Sequence, residues 1–149
     1  MLTPNQEKYV LRHLSLIDME RVEKSLNILA ETDNAYLREA LFRDAVVSYV
    51  KPFSDNRGEN QKKGLRINQK GIPKELKPLH KKFEDIRNKL FAHNDLEYQS
   101  AEFGPGSSFS VRGYERFYSD ELIEPLKKLA SIVHSHLIDE MRKLKNNGL

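Results

Sequence analysis

Leu76, Leu79, Phe83, Ile86 and Leu90 recur at intervals of 3, 4, 3 and 4 residues. On an α-helix this spacing lines five apolar side chains along one side; on a strand it would scatter them over both faces. The seam is heptad-like, so the segment is stable only where another helix covers it. It predicts an amphipathic helix over 74–93, stopped by Asn94-Asp95.

The same period runs through much of the chain. Thr3-Pro4-Asn5-Gln6 combines an N-cap, a proline at the first helical position and the glutamine of a capping box. Val10, Leu14 and Ile17 follow at helical spacing, then Val22, Leu26 and Leu29, one residue out of phase. That shift fits one helix whose buried face rotates, or two helices broken near 15–18. Thr32 or Asp33 is expected to cap the next helix, over 34–51. In it Leu37, Leu41, Ala45 and Ser48 form one face and Tyr36, Ala40 and Val47 lie beside it, so it reads as the most buried helix. Pro52 should end it.

A last helix is expected from Ser119 or Asp120 to Lys145, with a stripe of Leu122, Leu126, Leu129, Val133, Leu137, Met141 and Leu144. Asp120, Glu121 and Glu124 near its start and Arg142, Lys143 and Lys145 near its end suit the helix dipole. Pro125 requires a kinked first turn or a later start. Residues 96–118 are aromatic and rich in glycine and serine; Gly104-Pro105-Gly106 reads as a turn and Phe109-Ser110-Val111 as part of a short hairpin. The expected fold is an all-α antiparallel four-helix bundle, a single domain over 1–149, with the short hairpin before the last helix.

Composition narrows the function. The 149 residues contain no cysteine, which excludes disulfides, thiolate zinc sites and cysteine nucleophiles. The longest apolar run is three residues, as in Ala45-Val46-Val47, so no membrane span or signal peptide is expected and a cytoplasmic location is. The net charge of +3 does not by itself announce a nucleic-acid partner. Its distribution is more informative. Residues 57–74 read as a long polar loop in which six basic residues, among them Lys62, Lys63, Arg66 and Lys70, face one acid and leave +5. Such a loop can track phosphates, or can be an ordinary solvated connector.

Chemistry concentrates in Arg87-Asn88-Lys89-Leu90-Phe91-Ala92-His93-Asn94-Asp95. His93 continues the apolar seam. On a straight helix Arg87 stands about 120° round from it, so the two converge only if the helix frays or a second subunit supplies a facing group. Arginine stays charged and holds phosphate; histidine titrates near neutrality and shuttles protons. A single histidine on an apolar seam is more often simply packed and hydrogen-bonded. Elsewhere, His134 and His136 are two apart, on different helix faces, and lack the spacing of a zinc helix. Glu84 and Asp85 near Arg87 could form an acid–base pair, but charge pairs at i to i+3 on an exposed helix face are usually simply solvated. Tyr114, Phe117 and Tyr118 could stack bases but suit core packing better. No metal site or cofactor motif is expected.

The segment 87–93 resembles the signature of the HEPN superfamily: an arginine, a polar residue, and a histidine after four to six intervening residues. Here the gap is five and Asn88 fills the polar slot. The longer string through Asp95, with Tyr49-Val50-Lys51-Pro52-Phe53 upstream, is similar to the branch related to the abortive-infection protein AbiU2. The resemblance implies metal-independent RNA cleavage in toxin–antitoxin or phage-defence systems, with two protomers sharing a cleft and, in some systems, an antitoxin protein as partner. It implies that His93 acts as general base or acid, Arg87 holds the scissile phosphate, and Asn88 positions the phosphate or orients a catalytic group. Some members have lost activity, so the alternative is a non-catalytic module that binds RNA or protein.

Overall fold

The computed structural model describes residues 1–54, 66–91, 100–112 and 118–149. Four helices carry the fold: α1 (Pro4–Glu31), α2 (Ala35–Val50), α3 (Lys77–Phe91) and α4 (Ile123–Asn146). Between α3 and α4 lies an antiparallel hairpin of β1 (Ser100–Phe103) and β2 (Phe109–Arg112), with Ser100 opposite Arg112 and Phe103 opposite Phe109. Gly106 turns the hairpin at φ 72°, a left-handed value that glycine adopts without strain. The architecture is the expected all-α four-helix bundle.

The start of α1 is set by the capping box. Gln6 N–H donates to Thr3 Oγ1 at 3.2 Å, and Thr3 N–H donates to Gln6 Oε1 at 2.9 Å. From there α1 runs unbroken for 28 residues. Its buried side consists of Ser15, Asp18, Met19, Val22, Ser25, Leu26 and Leu29, whereas Val10, Leu14 and Ile17 are exposed. This corrects the first stripe, and the neighbouring helix explains why. Leu14 stands seven residues before Arg21, on the same line of the helix, and Arg21 reaches Asp44 of α2 at 2.7 Å. The chain of α2 gives out at Lys51, which pairs with Asp18 at 3.0 Å, so the earlier part of that line has no α2 beside it. The polar residues take buried places because they are satisfied: Ser15 Oγ donates to the Leu11 carbonyl at 2.7 Å and Ser25 Oγ to Asp44 at 2.7 Å.

The α1–α2 turn is capped by Asn34, whose Oδ1 accepts from Leu37 N–H at 3.1 Å, rather than by Thr32 or Asp33. Thr32 instead closes α1, its N–H donating to the Leu29 carbonyl. Arg38 reinforces the turn by donating to the Leu29 and Thr32 carbonyls, both at 2.9 Å. In α2 the buried set is Phe42, Ala45, Val46, Ser48, Tyr49 and Val50, while Tyr36 and Leu37 are exposed. A helix apolar on two faces leaves the choice of buried face to its neighbours, here α1 and α3.

Helix α4 lies antiparallel along α1, with Arg12 on Glu140 at 3.1 Å near one end and Lys127 on Asn27 at 2.9 Å near the other. It begins after a 3-10 turn at Asp120–Leu122, which leaves Pro125 in its first turn, where the missing N–H has no helical partner to lose. The end of the expected 57–74 loop is docked onto the bundle. Ile72 is buried, Ile67 packs on the core, and Ile67 N–H donates to the Pro52 carbonyl at 2.8 Å. Gly71 sits so close to α4 that a Cβ there would lie 2.4 Å from the His136 ring.

Candidate functional site

Helix α3 presents Arg87 and Asn88 in its last turns. Its seam is the core contact: Phe83, Ile86 and Leu90 are buried, Phe83 completely. Arg87 follows Phe83 by four residues and precedes Leu90 by three, so it stands at the border of that buried face. The side chain is half-buried, its Nε is sealed from solvent, and Nη1 donates to Asn88 Oδ1 at 3.1 Å. Asn88 itself is exposed. Two of the three expected catalytic residues are therefore joined, with the guanidinium anchored at the core edge. The third, His93, lies outside the described residues, as do Lys62 and Lys63. Arg66 and Lys70 are exposed on the segment leading into α3, and the 3-10 turn that carries Lys70 is capped by Asn68 Oδ1, which accepts from Lys70 N–H at 3.0 Å.

One neighbouring group was not singled out from the sequence. His80 is 1% exposed, one turn before Glu84 and two turns before Arg87 on the same helix. Its Nδ1 lies 2.8 Å from the Tyr49 hydroxyl, and its ring packs edge-on against Tyr49 and Phe53, with centroids 5.6 and 4.7 Å away. Glu84 Oε1 approaches Nε2 at 3.3 Å, in a geometry that makes an electrostatic contact rather than a hydrogen bond. Burial holds the imidazole below its usual pKa, partly opposed by the Glu84 charge. Burial also pushes the Tyr49 phenol well above the tyrosine range, and Glu84 adds to this. The sequence signal was the position of His80 beside Leu79 and three before Phe83, which places it on the buried arc.

The other candidates resolve differently. Asp85 pairs with Lys81 at 2.7 Å on the solvent side of α3. A groove of about 440 Å³ runs between α3 and 119–122, lined by Lys82, Asp85, Lys89 and Glu121. Those three α3 residues are roughly 160–220° round the helix from Arg87, so the groove lies on the other flank. Tyr118 packs edge-on against Phe42, donates its hydroxyl to Asp120 at 2.6 Å and accepts from Arg38 Nε at 3.1 Å; its place is structural. Tyr114 and Phe117 are outside the described residues. His134 lies 3.6 Å from Glu20, while His136 covers Gly71. Among the described residues, no three histidine, aspartate or glutamate side chains gather as a metal site, and no helix is long and apolar enough to cross a membrane.

No curated protein and no solved structure matches the chain. The family model for AbiU2, a HEPN family, matches residues 8–145. That match spans all four helices of the bundle, including the stretch of α3 where the arginine and asparagine are paired, and the chain belongs to the AbiU2 family of HEPN proteins.

Proposed function

We propose that this protein is a metal-independent endoribonuclease, acting as a homodimer in a phage-defence or toxin role. The observation that carries the reading is the Arg87–Asn88 pair at the end of α3, in a chain of a HEPN family. A guanidinium with Nη1 on Asn88 and its Nε buried is held in one orientation before substrate arrives.

The chemistry assigned to these groups is transfer within the RNA chain. The ribose 2′-oxygen attacks the adjacent phosphorus, the bond to the 5′-oxygen breaks, and a 2′,3′-cyclic phosphate and a 5′-hydroxyl result. His93 takes the 2′-hydroxyl proton or gives one to the departing 5′-oxygen. In a homodimer the second copy of His93 supplies the complementary transfer. Arg87 balances the charge that builds on the phosphoryl oxygens, and Asn88 holds Arg87 and the phosphate in register. Lys62, Lys63, Arg66 and Lys70 contribute backbone affinity without sequence choice.

The test is wild type against Arg87→Ala and His93→Ala on single-stranded RNA with excess chelator, alongside sedimentation at tens of micromolar protein. Cleavage by a wild-type dimer, lost in both variants, is the expected result. A wild type that binds RNA or a protein without cutting any RNA would assign the chain to the non-catalytic modules of the same fold.

A further inference from the structure

We propose that His80 and Glu84 are positioning residues of the RNA-cleaving site, the buried imidazole fixing the Glu84 carboxylate at the edge of α3 so that its charge orients Arg87. This rests on the ribonuclease reading above. His80, Glu84, Arg87 and Asn88 occupy positions i, i+4, i+7 and i+8 of one helix, a polar line that leaves the core at His80 and emerges at the Arg87–Asn88 pair.

The hydrogen bonding fixes the imidazole. Tyr49 carries a neutral hydroxyl 2.8 Å from Nδ1. If that hydroxyl donates, Nδ1 is the acceptor and the ring proton sits on Nε2, facing the Glu84 carboxylate 3.3 Å away. The opposite tautomer would turn an Nε2 lone pair toward a carboxylate oxygen, which is repulsive. Phe53 packs against both the Tyr49 and His80 rings, and Phe83 against that of Tyr49. Glu84 is thereby steered from below while its side chain remains 24% exposed.

Two features argue for a role beyond packing. A buried imidazole whose Nε2 has only an off-angle contact with the Glu84 carboxylate, at 3.3 Å, is a costly choice where a phenylalanine or leucine would fill the space. A carboxylate beside an RNA site also opposes polyanion binding, so Glu84 works against affinity. Its placement one turn before Arg87 is explained if it directs the guanidinium during the reaction.

The experiment measures kcat and KM for RNA cleavage by wild type, Glu84→Gln, His80→Gln and His80→Asn, with the ¹⁵N spectrum of His80 in the resting protein. Glu84→Gln changes a partly exposed group and should fold normally. Its kcat should fall about 10- to 100-fold, the scale expected for a misplaced reacting group, while KM stays the same or decreases because a negative charge is gone. Glutamine reaches where Nε2 does and asparagine where Nδ1 does, so His80→Gln should retain more kcat than His80→Asn. The resting histidine should carry its proton on Nε2. An unchanged kcat in folded Glu84→Gln, a KM increase accounting for the whole loss, or a proton on Nδ1 would each overturn the proposal while leaving the ribonuclease reading standing. If both His80 variants fail to fold, Glu84→Gln and the spectrum decide. A wild type that cleaves no RNA overturns the reading and the proposal together.

Discussion

The Tyr49 hydroxyl and His80 Nδ1 lie 2.8 Å apart inside the bundle, joining the end of α2 to the start of α3. Both residues are sealed from solvent; Phe53 packs against both rings and Phe83 against that of Tyr49. An ionisable ring at the junction of two helices couples the packing of α3 to protonation.

Stability should therefore fall on the acid side of neutrality. The groups acting on His80 are Glu84, which favours its charge, and Lys77 and Lys81, which oppose it; desolvation outweighs them and lowers the pKa. In the unfolded chain the ring titrates at about 6.5. Between that value and the lower folded one, the unfolded state binds more protons, so stability declines as pH drops below about 6.5. Urea midpoints at pH 8 and pH 5 should show this decline in wild type and a smaller one in His80→Gln. Equal declines would mean that the imidazole is not desolvated in solution.

Phe83 is completely buried and contacts the Tyr49 ring with centroids 6.0 Å apart. Phe83→Ala should lower stability by about 3–5 kcal/mol, the usual cost of a lost aromatic plus the cavity it leaves. A loss under about 1 kcal/mol in denaturant unfolding would show that the seam does not face the core.

Local rules found the elements; partners chose the faces. The Thr3 capping box and the Phe83, Ile86 and Leu90 part of the α3 seam are determined within one or two turns of chain and stand in the structure as the sequence implies, whereas 74–76, expected as helix, form a 3-10 turn before α3 starts at Lys77. Val10, Leu14 and Ile17 have helical, apolar spacing, yet whether that line is covered depends on where α2 stops. Asp18 and Ser15 were invisible to hydropathy because their burial depends on Lys51 and on the Leu11 carbonyl. The site divides in the same way. Arg87 and Asn88 were legible as a local motif. His80 was not, because its meaning comes from Tyr49, which is 31 residues away.

Gly71 records a contact that no local pattern announces. An added Cβ would meet Cγ and Cδ2 of His136 at 2.4 Å and its Cβ at 2.9 Å, so the ring cannot simply swing away. Gly71→Ala should cost about 1–3 kcal/mol, as overpacking generally does. His136→Ala, by opening the space, should make the glycine substitution nearly neutral. A double-mutant cycle on denaturant midpoints checks this, and additive losses would place the conflict elsewhere.

The reaction itself leaves a chemical signature. If the 2′-oxygen is the nucleophile, RNA cut in excess chelator carries a 2′,3′-cyclic phosphate on one fragment and a 5′-hydroxyl on the other. A single 2′-deoxyribose on the 5′ side of the cut phosphate should block that cut and spare its neighbours. His93→Ala should lower the rate by about 10²–10⁴-fold through loss of proton transfer. Arg87→Ala should cost about 10²–10³-fold, the range for removing one donor to a developing anion. Arg87→Lys keeps the charge but gives up the planar fork that Asn88 holds, so it should recover RNA binding more than rate. Fragment ends are read by mass spectrometry and by susceptibility to end-specific kinases and phosphatases. A 3′-hydroxyl with a 5′-phosphate would assign the nucleophile to water instead and remove His93 and Arg87 from the roles given to them.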